Sequence, residues 1–410
     1  MALNLTRRLK LSSLDHGELD CFLNSLITDS TRERRIFGEG SIDCFGDQIR
    51  TTRAKSGTFT KIEWCDARDK PGADAFIRDL SEAMSAAPAT IMRRVIFVPR
   101  PFLGALRIDN GFQLVELPPS SPRPQITYAD HPCLLEFLVN PSANKAVTEY
   151  RTEQEFTRLL AFLAVILGPG IKGPPLPTKH WVLVQDDNGS HTSVFAQQGY
   201  WHEELWPDRD KHGFSHHDCG PVPRLPEQRF YTDPLPFDAF PVPDSLENSW
   251  RAFACLDPKE TARFLRAAYW YRASHNLISV SASLSFSAYV FAIEALCGRM
   301  PDGEKCETCL RPRENSATRS FTEFLDRYGG VPAGEAPEWW SKAKDWFYDK
   351  RSKIVHGSDL LRADSEAAHL VFSHLHSDDV HMRRLLARFC QAALINWLRA
   401  PDRAHICVVK

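Results

Sequence analysis

The chain has little surplus of charge. Its 410 residues carry 50 Lys and Arg against 52 Asp and Glu, a formal net charge of −2. Such a balance excludes a protein that coats nucleic acid by bulk charge, so any polyanion must be met at a local site. Long apolar runs are missing too. The longest, Leu159–Leu167, spans nine residues, about half of what a membrane span needs. Residues 1–13 are polar and basic, without the apolar stretch of a secretory signal. The eleven cysteines therefore read as reduced thiols of a cytoplasmic chain, most of them small buried hydrophobes. No repeat of solenoid period, no Gly-x-Ser-x-Gly and no His-Glu-x-x-His occurs. Gly168-Pro-Gly170-Ile-Lys-Gly173 lacks Gly-Lys-Ser/Thr, so it reads as a turn and not as a phosphate-cradling loop.

What is present is ordinary globular material. Hydrophobic residues make up 43% and charged residues 25%, and the length implies two or three domains. Residues 1–245 mix strand-like and helical stretches and read as an α+β unit, a mixed α/β domain that senses or regulates. Arg93–Pro99 predicts a strand ended by Pro99 and Pro101, and Trp181–Gln185 predicts another before an Asp-Asn-Gly-Ser turn. Asp74–Ala86 and Thr152–Leu167 have helical spacing, with Thr152 as N-cap and acids in the first turn. Residues 200–245 hold many Pro and His and little periodicity, which predicts a loop-rich linker or an extended arm across a domain surface. A boundary is expected between 235 and 255.

After residue 246 helical spacing dominates. Asp257-Pro258 predicts an N-cap and a Pro-opened helix to about Ser274. Further helices are expected over Ser279–Cys297, Ala317–Tyr328, Ala336–His356 and Asp379–Ala400, with a shorter piece over Asp364–Phe372. The expectation is an all-α bundle over 246–410.

The string that carries chemistry is Trp346-Phe-Tyr-Asp-Lys-Arg351-Ser-Lys-Ile-Val-His356-Gly357. An Arg-x4-His spacing arises about once by chance in a chain this long, so its weight rests on its setting at the Gly-closed end of an aromatic-rich helix. Histidine gives and takes protons near neutral pH. Arginine stays charged and grips phosphate through paired donors. Five residues along a regular helix turn through about 500°, leaving the two side chains roughly 140° apart. Either a frayed end at Gly357 or a second copy of the helix would bring them to one phosphate. The bland alternative is a surface cation and a C-capping histidine. Glu294, a lone acid in Phe291-Ala-Ile-Glu294-Ala-Leu, either pairs with and orients Arg351 or sits solvated at a helix edge.

The segment resembles the HEPN superfamily signature, Arg-x(4–6)-His on the penultimate long helix of a bundle. Its wording is especially similar to the ApeA-like branch of bacterial anti-phage proteins. The resemblance covers residues from 257 to the C-terminus; residues 1–245 show no nameable motif. It implies an anti-phage or toxin-like endoribonuclease, active as a homodimer through the HEPN domain, needing no cofactor for catalysis. His356 matches the acid–base histidine and Arg351 the phosphate-holding arginine. Ser352 departs from the Asn, Asp or His found beside that arginine in many members. RNA is the expected partner, with a phage-derived trigger or regulatory partner acting through the N-terminal unit. The alternative within the family is a non-catalytic module that dimerises or binds RNA or nucleotide.

Two other clusters are candidates. Cys306-Glu-Thr-Cys309, with Cys297 nearby, supplies three thiols for a structural zinc if a fourth ligand comes from elsewhere, or else consists of unligated thiols. A zinc-organised scaffold is thus a rival from another class. His212, His216, His217 and Cys219, with Asp208, Asp210 and Asp218 near them, have ligand-like spacing in an irregular stretch. Trp339, Trp340, Trp346 and Phe347 fall at helical spacings suited to helix-packing core, or to base stacking.

Overall fold

The computed structural model describes residues 2–26, 32–37, 40–45, 48–85, 87–109, 111–117, 131–173, 179–185, 191–198, 214, 220–236, 238–297, 301–305, 312–314, 316–331, 337–364 and 377–399. The elements up to residue 200 are β1 (Leu3–Asn4), α1 (His16–Ser25), β2 (Arg32–Phe37), β3 (Gly40–Phe45), β4 (Ile49–Ala54), β5 (Phe59–Trp64), α2 (Lys70–Met84), β6 (Thr90–Val98), β7 (Ala105–Arg107), β8 (Phe112–Glu116), β9 (His131–Val139), α3 (Lys145–Leu167), β10 (Lys179–Gln185) and β11 (His191–Gln198). Then follow β12 (Arg224–Leu225), α4 (Glu227–Thr232), β13 (Val242–Pro243), α5 (Leu246–Ala254), α6 (Pro258–Leu277), α7 (Ala282–Leu296), β14 (Pro301–Lys305), β15 (Pro312–Glu314), α8 (Ala317–Tyr328), α9 (Glu338–Val355) and α10 (Ser377–Arg399).

The first strands alternate in burial, as a sheet with one covered face must. β4 reads buried, exposed, buried along Ile49, Arg50 and Thr51. The five-stranded antiparallel sheet β1-β5-β4-β3-β2 lays Phe45, Ile49, Phe59, Ile62 and Trp64 against Leu19 and Phe22 of α1 and Phe76 and Leu80 of α2. A charged group is built into that face. Arg53 pairs with the fully buried Asp43 at 2.8 Å and with Asp20 of α1. A second sheet, β6-β9-β8-β7, has β6 and β9 in register from Thr90↔Val139 to Val98↔His131.

The expected strands at Arg93–Pro99 and Trp181–Gln185 lie in β6 and β10. The α3 expectation needs correcting. Its cap is Asn144, whose side chain accepts from the backbone N–H groups of Ala146 and Val147. Thr152 is buried mid-helix and donates to the Thr148 carbonyl at 2.8 Å. The early turns carry few apolar residues, so the helical pattern shows only where the buried stretch begins. Gly168 caps α3 with φ 112°, in keeping with the turn expected there.

Of the stretch 200–245, residues 214, 220–236 and 238–245 are described and the rest lie outside the described residues. Val222, Phe230, Phe240 and Val242 are buried, and the Phe240 N–H donates to the Pro101 carbonyl at 2.7 Å. The hydrophobic core does not part at 245. One continuous cluster runs from Ile96 of β6 through α3 and the arm to Leu398 of α10, while residues 3–84 have their own. α3 joins the two: Val147 lies in the smaller core and Phe156–Leu167 in the larger.

Beyond 246 the helices fall close to expectation. α6 opens on a capping box, with Asp257 accepting from Glu260 N–H and Glu260 reaching back to the Asp257 N–H. The C-terminal part is not purely helical, however. A two-stranded hairpin, β14–β15, sits between α7 and α8, in a stretch whose Pro and Gly residues disfavour helix. The shorter helix expected over Asp364–Phe372 lies outside the described residues, apart from a 3-10 turn at Arg362–Asp364. Among the described residues, no helix is long and apolar enough to cross a membrane.

Candidate functional site at the end of the ninth helix

α9 packs on α7 through aromatic contacts. The Phe286 ring lies 5.5 Å from Trp346 and 6.3 Å from Phe347. Trp340 and Phe347 are buried core residues, and Trp346 is partly buried. Trp339 is 41% exposed beside Phe389. These contacts hold α9 against α7 just before Arg351.

The helix end is tightly made. The His356 N–H donates to the Ser352 carbonyl at 3.0 Å, Gly357 N–H to Ile354 at 3.0 Å and Ser358 N–H to Lys353 at 2.9 Å. With Gly357 at φ 72°, this is a Schellman closure, in which a left-handed residue lets two backbone N–H groups fold back onto the last carbonyls. α9 therefore stays regular through Val355 and His356 occupies its C-cap. The His356 side chain is exposed and has no hydrogen-bond partner among the described residues.

Arg351 is set differently. Its Nη2 donates to Glu294 Oε2 of α7 at 2.7 Å. Its guanidinium carbon lies 4.9 Å from the Phe291 ring centre and 5.7 Å from that of Tyr348. Nε is buried without a hydrogen-bond partner, with the ring faces beside the guanidinium. Burial raises the Glu294 carboxyl above its ordinary value, and the Arg351 charge and the hydrogen bonds from Arg351 and Tyr348 offset that only in part. Burial and then the Glu294 charge raise the Tyr348 hydroxyl as well. The result is one cationic group held on an aromatic bed by one acid. Ser352 is partly buried, and its side chain makes no hydrogen bond among the described residues.

The helix thus brings Glu294 to Arg351 but leaves Arg351 and His356 on different sides. Tyr348 and Phe291 belong to the cluster and escaped the sequence reading. Their signal was available: each stands three residues before its partner, Arg351 and Glu294, hence on the same helix face.

Cys297 is partly buried just past Glu294. Burial, with the Glu294 charge adding and Arg263 opposing, pushes its thiol up to about 12. Cys306 and Cys309 lie outside the described residues, as do His212, His216, His217 and Cys219. No metal-holding group of three His, Cys, Asp or Glu occurs among the described residues.

A third feature stands at the opposite end of α7. Asp364 accepts from Ser281 Oγ at 2.7 Å and from the backbone N–H groups of Ala282 at 2.8 Å and Ser283 at 2.7 Å. It anchors the first turn of α7, where a carboxylate is favoured by the helix dipole. Compared with known proteins, the chain matches no family model, no curated protein and no solved structure.

Proposed function

We propose that the chain is a metal-independent endoribonuclease of the HEPN type, working as a homodimer in anti-phage defence or as a toxin-like effector. The observation that carries this reading is the end of α9. An exposed histidine is fixed at the C-cap, five residues after an arginine that is charged and oriented by Glu294. Because α9 stays regular through Val355, fraying does not bring the two side chains together, and a second copy of the helix is the remaining route to a shared phosphate.

In this reading the RNA 2′-hydroxyl gives its proton to His356 and its oxygen bonds to the adjacent phosphorus. The bond from phosphorus to the 5′-oxygen breaks, and a protonated histidine, His356 of either copy, supplies the proton to that oxygen. The products are a cyclic phosphate and a 5′-hydroxyl. Arg351 stabilises the charge that builds on the phosphoryl oxygens. The N-terminal sheet unit restrains the nuclease or senses its trigger.

A second reading is favoured by the Arg351–Glu294 pair itself. An arginine already matched by an acid suits a non-catalytic HEPN module that dimerises or binds RNA or nucleotide. One experiment separates the two. Purified wild-type protein and His356→Ala are compared on single-stranded RNA and tRNA. Loss of cleavage by at least about 100-fold is expected. Equal cleavage by both, or none by the wild type with its trigger present, overturns the ribonuclease reading.

A further inference from the structure

Beside the Arg351 cluster the structure carries a surface that the chemistry above does not use. From Thr261 to Ile293 the chain has no Asp or Glu, while Arg263, Arg266 and Arg272 fall in that stretch. It spans most of α6 and α7. Within it the rings form an unbroken series toward Arg351. Tyr269 and Trp270 of α6 meet edge to face with centroids 5.3 Å apart. Trp270 meets Phe291 of α7 edge to face at 5.1 Å. Phe291 then carries the Arg351 guanidinium. Tyr269 is 62% exposed, far more than core packing requires of so large a ring.

Within the stretch from Thr261 to Ile293 the charge is of one sign. Arg266 is exposed and stands three and four residues before Tyr269 and Trp270, on the same helix face. No acidic group pairs with it among the described residues. Arg263 donates to the Leu296 carbonyl and lies over the Trp397 ring, again without an acid. Glu294, three residues beyond Phe291, is taken by Arg351. An exposed ring, Tyr269, backed by the partly buried Trp270 and Phe291 and flanked by arginines, fits an unpaired nucleotide, because every base has a face to stack and every phosphate a charge to match. A duplex hides those faces, and a protein partner of neutral surface would leave the arginines unmatched.

We infer that the α6–α7 surface from Arg266 through Tyr269, Trp270 and Phe291 to Arg351 is a stacking path for single-stranded RNA, with an unpaired base on Tyr269 and the backbone along Arg266. This rests on the ribonuclease reading for its biological sense, but its test does not need cleavage. Binding is measured by fluorescence anisotropy in the His356→Ala background, with a labelled oligouridylate and with a duplex of equal length. Tyr269→Ala should weaken oligouridylate binding about tenfold or more, and Tyr269→Phe should restore it. Arg266→Ala should weaken it too and reduce its salt dependence. Duplex should bind more weakly than oligouridylate throughout. Unchanged oligouridylate affinity in Tyr269→Ala overturns the inference, as does equal binding of duplex. So does a change of oligomeric state, read by light scattering, without a change in affinity, which would make the surface a contact between copies. If the parent cleaves RNA and Tyr269→Ala binds normally, the path fails while the ribonuclease stands. If nothing cleaves but Tyr269→Ala loses binding, the reverse holds.

Discussion

Two arginines of the helical part show how differently one side chain is employed. Arg399, at the end of α10, is 5% exposed and its donors are taken up. Nε and Nη2 reach Ser249 Oγ at 3.0 and 2.6 Å, Nη2 reaches Ser245 Oγ at 2.8 Å, and Nη1 pairs with Glu227. It ties α10 to α4 and α5. Arg351 has one ion pair, a buried Nε without a hydrogen-bond partner, aromatic faces in place of further acceptors, and an exposed histidine at the end of its own helix. A guanidinium with its donors satisfied holds elements together. One with a single acid and π contacts keeps capacity for an incoming anion.

The comparison is broken most directly by removing each arginine. Arg399→Ala strips the partner from Glu227 and from two serines in a buried site. A loss of about 3–5 kcal/mol of unfolding free energy is expected, as for a buried pair cut on one side. Urea unfolding followed by circular dichroism measures it. Arg351→Ala should cost only about 1 kcal/mol by the same measurement, since its pair stands nearer solvent, yet lower RNA cleavage by about 100-fold or more. Equal destabilisation by the two variants would erase the distinction.

Asp364 sharpens the picture at the other end of α7. Burial acts to raise its carboxyl, but hydrogen bonds from Ser281, Ser283 and the backbone of Ala282 and Ser283 outweigh it, so the value lies below the ordinary one. A depressed carboxyl stabilises the fold above its unfolded pKa, and that contribution fades as pH falls through the folded value. Asp364→Asn should therefore cost about 1 kcal/mol at pH 7, after allowing for solvent screening of a partly exposed group. The gap from wild type should close as pH falls below the ordinary carboxylate range in parallel urea titrations. A gap that persists in acid would mean that shape and not charge anchors α7.

Much of this was legible from residue types. Asp257-Pro258 and Gly357 mark helix ends because the backbone needs a side-chain acceptor at one end and a left-handed residue at the other. The site residues Arg351 and His356 stood out by spacing, and Glu294 by being a lone acid among apolar neighbours. Three things were hidden. The N-terminus of α3 is polar, so hydrophobic periodicity placed its start at Thr152 and not at Lys145. The β14–β15 hairpin is short and carries few of the β-branched or aromatic residues that announce strands. The continuity of the core from Ile96 to Leu398 depends on long-range packing of Phe230, Phe240 and Trp250, which no local pattern encodes. The same limit applied to Tyr269, whose exposure follows only from the way α6 lies on α7.

The smallest expected effect tests the link between the closure of α9 and its chemistry. Gly357 holds φ 72°, and a Cβ built there would meet nothing within 4 Å. Any penalty for Gly357→Ala is therefore conformational, about 1 kcal/mol for an L residue in the left-handed region. Gly104 offers the contrast, because a Cβ there would meet the Gly220 carbonyl oxygen at 2.5 Å in addition to φ 87°. Gly357→Ala should thus melt only slightly below wild type, and Gly104→Ala clearly lower. If His356 acts from the position that the Schellman closure gives it, cleavage by Gly357→Ala should drop by more than its small loss of stability implies, with single-turnover rates at saturating RNA as the readout. Unchanged single-turnover rates would mean that the histidine's placement does not depend on that turn.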